Sequence, residues 1–211
     1  MFTKSKILVT CSRLLSMAFF STALFSNAQA AYLTETHLTN DIISNAQHVD
    51  DIFFTNSFDA DINTKLGINI STSSLHASIL GSGDNSIDFY SFFNPVAGQA
   101  FFDIDYAYDF DRSFDGSFDS QINLYDSSFI LLATNDDSAP ESGSASNLDS
   151  FIEWSLPTAD TYYVAVGGFL NLSDIPFGAN YTLHISHASA VPVPAAIWLF
   201  ASGHPGLVWP E

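Results

Sequence analysis

The sequence predicts an all-β protein, an antiparallel β-sandwich of jelly-roll-like form, and three observations lead to this prediction. From residue 87 onward, short runs rich in Phe, Tyr, Ile and Val alternate with turns that contain Gly, Pro, Asn or Asp. The runs recur at nearly regular spacing, and no stretch beyond the N-terminal segment repeats with a helical period. Within several runs apolar and polar residues alternate, which places the apolar side chains on one face of a strand.

Residues 1–30 have the features of a secretory signal, with a basic start, a helical apolar run over residues 14–25 and the cleavage pattern Ala28-Gln29-Ala30. The mature chain would then begin at Ala31. We therefore expect export to the periplasm, the cell surface or the medium. The single cysteine, Cys11, lies within this signal, so the mature protein would contain no disulfide.

The strands are expected in the following order. Residues 31–86 are rich in Asn, Ser and Thr and predict short strands joined by loops. Seven clearer runs follow: IDFYSFF, AFFDIDY, SQINLYD, FILLATN, FIEWSLP, TYYVAVGGF and NYTLHIS. Alternation predicts three sets of inward side chains, one for each of three strands: Phe118, Ile122 and Leu124; Ile152, Trp154 and Leu156; Tyr181, Leu183 and Ile185.

The charge of the chain limits its partners. The formal charge is -18, and three of the five cations (Lys4, Lys6 and Arg13) lie in the signal, whereas all 23 acids follow it. Two remaining cations against 23 acids give the mature chain a charge of -21. Such a surface repels nucleic acid and anionic lipid, so neither is an expected partner.

Acidic residues are densest between residues 103 and 149, and this density suggests a bound cation. Residues 111–116 read D-x-S-x-D-G, the opening of a calcium loop, but Ile122 occupies the twelfth position, where an EF-hand requires Glu. The alternative is a solvated acidic rim without metal. On the first interpretation, the candidate calcium ligands are Asp109, Asp111, Asp115, Asp119, Asn135, Asp136, Asp137 and Asp149.

The order of these motifs resembles the bacterial pre-peptidase C-terminal domain, an exported β-sandwich module. The resemblance rests on the seven runs and on an upstream match to an E…ND…AQ opening at Glu35, Asn40, Asp41, Ala46 and Gln47. It implies one domain over residues 31–187, with calcium in loops that correspond to Asp119, Asn135, Asp136, Asp137 and Asp149. An insertion over residues 53–83 and the acidic run over residues 105–115 depart from the family pattern.

The last segment, residues 188–211, resembles a bacterial sorting tail of the PEP-CTERM type. Residues 191–203 carry the match, VPVPAAIWLFASG. The resemblance implies a sorting enzyme as partner and only transient contact with the membrane. The apolar run over residues 195–201 is far shorter than the roughly 20 residues that span a bilayer, and Pro205 and Pro210 follow it. We therefore expect the protein to be released rather than anchored.

No motif for catalysis stands out in the sequence. The six histidines do not form an HExxH pattern, and neither a G-x-S-x-G elbow nor a phosphate loop is present. The expected function is that of a non-enzymatic, calcium-stabilised structural protein of the cell envelope or extracellular matrix. The alternatives are a module that binds polysaccharide or a surface protein through Tyr106, Tyr108, Phe110 and Phe114, and, less favoured, a secreted hydrolase.

Overall fold

The computed structural model describes residues 32–36, 39–109 and 118–188. The predicted signal, almost all of the predicted sorting tail, Asp111, Asp115, Phe110 and Phe114 lie outside these ranges. Within them, helical structure is confined to two 3₁₀ turns, Ile43–Asn45 and Asp51–Phe53. No helix in the described ranges is long and apolar enough to cross a membrane.

Ten strands make up the described part of the chain. Their bounds are β1 Leu33–Thr34, β2 Gln47–Val49, β3 Leu75–Ser82, β4 Asp88–Asn94, β5 Gly98–Tyr108, β6 Ser120–Tyr125, β7 Leu131–Asn135, β8 Phe151–Leu156, β9 Asp160–Gly168 and β10 Asn180–His187. The seven runs that the sequence predicts as strands correspond to β4 to β10. The weakly patterned N-terminal part contributes β1, β2 and β3.

The strands form two five-stranded sheets that pack face to face as a β-sandwich. Sheet A has the order β1-β3-β10-β5-β8, and sheet B has the order β2-β4-β9-β6-β7. Every strand pair formed among β3 to β10 is antiparallel, and the order of these eight strands is that of a jelly roll. The short strands β1 and β2 pair in parallel with β3 and β4, one at the edge of each sheet.

The hydrophobic core lies between the two sheets. Phe92 of sheet B and Phe102 of sheet A are fully buried, with ring centroids 5.7 Å apart. Each large side chain removed from water here contributes roughly 1.5 to 3 kcal/mol before conformational entropy is counted. Eight of the nine residues predicted to face inward are buried. Trp154 is on the inward face as predicted but is 36% exposed, because it lies on β8, at an edge of sheet A.

The outer face of sheet A is also covered, and the cover comes from residues between β2 and β3. Outward side chains of β3, β5 and β10 are buried although they point away from the core: His76, Ser78, Asp103, Asp105, His184 and Ser186. Residues 54–74 cross this face. Thr55 and His76 exchange two backbone hydrogen bonds, and Ile62 is 1% exposed. Part of the predicted insertion therefore forms a layer outside the sandwich.

Glu35 and Asn40 fasten β1 to the rest of the domain. The Asn40 side chain donates to Glu35 Oε1, and the backbone N–H of Ser82 donates to Glu35 Oε2. Asp88 forms a side-chain hydrogen bond with Glu35, and the Tyr181 hydroxyl donates to Asp88 Oδ2. Burial and the neighbouring Glu35 raise the pKa of Asp88 to about 9. We therefore expect Asp88 to be protonated at neutral pH and to keep its hydrogen bond with Glu35.

We expect Asp88→Asn to change the pH dependence of stability. The pKa of Asp88 is about 9 in the folded protein against an ordinary 3.8, so folding binds a proton between these pH values. The stabilising contribution of Asp88 is complete below pH 4 and is lost as pH rises through about 9. Asparagine retains a donor and an acceptor but cannot ionise. The free energy of unfolding of the variant should match wild type at pH 4 and exceed it increasingly toward pH 9 in urea titrations.

Asp50→Asn is the control, because the Asp50 side chain is 63% exposed and pairs only with His48 at the surface. Its curve should run parallel to wild type. Parallel curves for Asp88→Asn as well would show that Asp88 is already ionised in the folded protein.

Candidate metal centre

Two aspartates lie side by side on the outer face of sheet A because of the alternation along β5. Phe102 and Ile104 point into the core, so Asp103 and Asp105 between and after them point outward. β5 pairs with β10 on one side and β8 on the other, which makes it an interior strand. The two carboxylates are therefore held on a rigid part of the sheet, and they are 5% and 0% exposed.

A β-bulge follows directly after Asp105. The register of β5 against β10 shifts between Asn180 and Thr182, and Tyr106 has a positive φ of 52°. The bulge turns Tyr106 toward solvent, where its hydroxyl donates to Asp61 Oδ2 in the covering segment. Its backbone N–H donates to the carbonyl of Gly143. Beside Asp105, the bulge thus joins β5 to the covering segment, residues 54–74, and to the loop between β7 and β8.

Glu141, on the loop between β7 and β8, completes a group of three acids with Asp103 and Asp105. One carboxylate oxygen from each of Asp103, Asp105 and Glu141 lies within 4.8 Å of the other two. The arrangement depends on a close approach at Gly143, since a Cβ there would lie 2.1 Å from Asp105 Oδ2. Gly143 has φ +98°, a conformation that glycine adopts without strain. We call Asp103, Asp105 and Glu141 the acidic triad.

Asp149 lies close enough to the triad for their charges to interact. Burial, followed by the charges of Asp105 and Glu141, raises the pKa of Asp149 to about 7, although the N–H of Ala145 opposes the shift. Burial also raises the pKa of Asp103, with the charges of Asp105 and Glu141 adding to the effect. Burial also raises the pKa of Asp105, with the charges of Asp61 and Asp59 adding to the effect and His184 opposing it. Burial and the charge of Asp105 raise the pKa of Glu141. Burial and mutual repulsion thus destabilise the ionised forms of these carboxylates.

Several oxygens of this group have no hydrogen-bond partner although they are buried. They are Oδ2 of Asp103, Oδ1 and Oδ2 of Asp105, Oε2 of Glu141 and Oδ1 of Asp149. His184 forms an ion-pair contact with this group, with Nε2 3.2 Å from Asp105 Oδ2 and Nδ1 hydrogen-bonded to Ser78 Oγ at 2.8 Å. One imidazole cannot satisfy the oxygens of four carboxyl groups. Buried carboxylate oxygens that lie this close together without donors are a candidate donor set for a metal ion.

The acidic triad could therefore hold a metal ion, with Asp149 contributing a fourth carboxylate. All of these donors are hard oxygens, which favours Ca²⁺, Mg²⁺ or Mn²⁺ over metals that select thiolate. Asn63, a neighbour of Glu141 in the covering segment, forms a side-chain hydrogen bond with it. The ion would be enclosed by the protein, since the acids of the triad are buried or half-buried.

The residues predicted from the sequence as calcium ligands lie at several separate places in the structure. Asp149 lies beside the triad. Asp109 is buried at the end of β5, four residues beyond Asp105, and Asp137 is exposed. Asn135 accepts a hydrogen bond from the backbone N–H of Phe151. Asp119 and Asp136 border two shallow cavities of about 250 and 310 Å³, respectively. Whether these residues ligate calcium remains a prediction, as it does for Asp111 and Asp115 outside the described ranges.

The alternation of apolar and acidic residues around Asp103 and Asp105 is visible in the sequence, although these two acids are not part of a calcium-loop motif. In F-D-I-D the two acids share a face of a strand whose other face is fully apolar. The acids of such a strand are either exposed to solvent or, if they are buried, must be neutralised by protons, hydrogen-bond donors or a cation. Glu141 carries no comparable signal, because a turn of the loop between β7 and β8 brings it to the site.

The two comparisons of this sequence with known proteins found no relative. No known protein family matches the chain, and no curated protein is similar to it at a significant level. The resemblance to the pre-peptidase C-terminal domain and to the PEP-CTERM tail therefore rests on the motifs described above.

We predict that stability without metal declines with rising pH. In the presence of chelator, folded Asp149 titrates at about 7 and Asp103 above its ordinary range, whereas unfolded aspartate titrates near 3.8. The folded state then binds more protons, so the free energy of unfolding should be highest near pH 4 and fall through pH 7. Calcium should remove most of this decline. Urea titrations of Asp88→Asn, which eliminates the other raised carboxyl, measure the effect. A flat profile with chelator would contradict it.

A substitution at Gly143 tests the close approach to Asp105. Gly143→Ala and Gly178→Ala both place alanine at positive φ, but the space at Gly178 is open, with nothing within 4 Å of an added Cβ. Backbone strain should destabilise both variants by roughly 1 to 3 kcal/mol. Only Gly143→Ala displaces Asp105, so its loss should exceed that of Gly178→Ala and its stabilisation by calcium should fall. Equal losses in thermal unfolding would show that the loop moves without disturbing the triad.

Proposed function

We propose that this protein is a non-enzymatic, secreted β-sandwich that calcium stabilises, and that it serves as a structural component of the cell envelope or extracellular matrix. The observation that supports this proposal most is the group of buried carboxylates around Asp103 and Asp105, whose oxygens lack partners. A bound divalent cation would pair with these oxygens and neutralise their repulsion.

Calcium fits the site better than other divalent ions. It accepts six to eight oxygen ligands in irregular geometry, whereas Mg²⁺ requires a near-octahedral arrangement and retains several waters. The acidic triad combines two ligands on β5 with Glu141 on a loop, and calcium tolerates the irregular geometry that such a combination can give. In the extracellular medium calcium is abundant, so an exported protein without disulfides would gain a structural clamp from it.

A structural role agrees with how deeply the acids lie. Asp105 is 0% exposed and Asp103 is 5% exposed, so an ion there would contact protein rather than a substrate. The secretory features of residues 1–30 and the sorting motif of residues 191–203 support delivery to the cell surface or medium. The hydroxyl of Tyr106, a residue predicted from the sequence as a candidate for sugar stacking, donates a hydrogen bond to Asp61 and so ties β5 to the covering segment.

The site is tested by thermal and urea unfolding of Asp103→Asn at pH 8, in chelator and in calcium chloride. In chelator the variant should be more stable than wild type, because one buried charge is removed. In calcium it should lose most of the stabilisation that wild type gains, which is about 2.7 kcal/mol at a hundredfold excess over the Kd. This reversal of sign distinguishes a metal ligand from an acid that only destabilises the fold.

Asp137→Asn is the matched control, since it removes the same charge from an exposed position that the sequence predicted as a ligand. Its stabilisation by calcium should equal that of wild type. Loss of the calcium effect in Asp137→Asn, with no loss in Asp103→Asn, would move the metal to the acidic loop and overturn the proposal. Greater stabilisation by magnesium or zinc than by calcium would overturn the choice of metal.

A further inference from the structure

A groove runs along the seam where the edges of the two sheets meet. Its walls are β8, the edge strand of sheet A, and β7, the edge strand of sheet B, with Lys65 of the covering segment at its rim. Five consecutive residues of β8, 151–155, line it. The cavity measures about 670 Å³, which lies within the range of small-ligand sites.

Trp154 provides an aromatic surface in this groove. Its partner in the register is Ala100, which is fully buried in the core, so Trp154 occupies an inward position on β8. Ile152 and Leu156 on the same face are 4% and 1% exposed, whereas Trp154 is 36% exposed. The short strand β7 does not cover it. A large ring left open in a groove between polar walls offers a platform for an apolar face.

Polar side chains on the opposite face of β8 from Trp154 form a small network that lines the same groove. Gln99 Nε2 donates to Glu153 Oε1 at 3.1 Å, and the Ser155 hydroxyl donates to Gln99 Oε1 at 2.8 Å. Alternation along the strand places Glu153 and Ser155 outward and Trp154 inward, so the groove extends around both sides of this edge strand. An aromatic ring on one side and an amide, a carboxylate and a hydroxyl on the other match successive pyranose units of a glycan, each with an apolar C–H face and hydroxyl groups around its rim.

The backbone of β8 makes an added peptide strand a poorer fit. Ile104 donates to the carbonyl of Ser150, so even-numbered residues of β8 pair with β5, and odd-numbered residues direct their N–H and C=O groups away from it. The N–H of Phe151 already donates to Asn135 Oδ1. Glu153 and Ser155 are left, which is a short ladder for strand addition. Separate sugar hydroxyls can use these groups individually.

Charge selects among glycans. The groove contains one cation, Lys65, and one acid, Glu153, and the mature chain as a whole carries -21. An anionic polysaccharide would be repelled by this field, and no cluster of cations is present to overcome the repulsion. We propose that the groove between β7 and β8 binds a neutral oligosaccharide or polysaccharide, with one sugar ring stacked on Trp154 and the hydroxyls of an adjoining ring hydrogen-bonded to the Gln99–Glu153–Ser155 network.

The test is affinity electrophoresis of the full chain in native gels that contain hydroxyethylcellulose, dextran, yeast mannan or anionic alginate, followed by calorimetry with fragments of the retarding polymer. Wild type should be retarded by at least one neutral polymer and not by alginate. Trp154→Ala should weaken binding about tenfold or more. Trp154→Phe, which keeps an aromatic ring, should retain part of the affinity and guards against loss of folding in the alanine variant.

Phe177→Ala is the matched control, because Phe177 is 70% exposed and does not line the groove. It should bind like wild type. Failure of all three neutral polymers to retard wild type, or equal retardation of wild type and Trp154→Ala, would overturn the proposal. Capture of displayed peptides that depends on Trp154, with no retention on glycans, would assign the groove to a peptide strand instead and would also overturn it.

The same gels run with calcium and with chelator separate this inference from the proposed metal site. The groove lies along the edge strands and uses none of the triad carboxylates. Glycan binding that persists while calcium stabilisation fails would refute only the metal, and the reverse result would refute only the groove.

Discussion

The structure depends on how it accommodates carboxylates beneath the layer that covers sheet A. Asp103 and Asp105 cannot turn to solvent without moving Phe102 and Ile104, because residues of both kinds alternate on one interior strand. Displacing two fully buried apolar side chains from the core would cost several kcal/mol of stability. The core therefore fixes the acids in place. Their charge must be neutralised locally, by protons or by a cation.

The domain contains a second buried acidic pair that shows the other solution. Asp88 and Glu35 are hydrogen-bonded to each other, and Asn40, Ser82 and Tyr181 donate hydrogen bonds to their other oxygens. Asp103 and Glu141 are likewise hydrogen-bonded to each other, but buried oxygens of Asp103, Asp105, Glu141 and Asp149 have no donor. The larger number of acids and the smaller number of donors make the acidic triad, and not the Asp88–Glu35 pair, the candidate for a bound cation.

The sequence predicted the sandwich well because its evidence is local. Alternation and turn residues within runs such as SQINLYD and NYTLHIS identify both the strands and their inward faces. Trp154 shows the limit of this evidence, since alternation places it inward but cannot reveal that β8 is an edge strand with a short neighbour opposite. The metal centre is harder to predict. It requires Asp105 on β5, Glu141 from a loop more than thirty residues later, and a bulge and a glycine conformation that allow them to meet.

The covering layer explains why the candidate site lies on the outer face of sheet A. A sandwich needs only its inner faces to be apolar, so the outer face of sheet A would ordinarily be solvated and acids there would require nothing. Residues 54–74 convert that face into an interior, which raises the cost of every charge on it. Asp61 and Asn63 come from this same segment and contact Tyr106 and Glu141. Residues 54–74 thus bury the carboxylates and also supply polar side chains around the place where a cation would neutralise them. The groove along β8 lies at the edge of the same sheet and remains open.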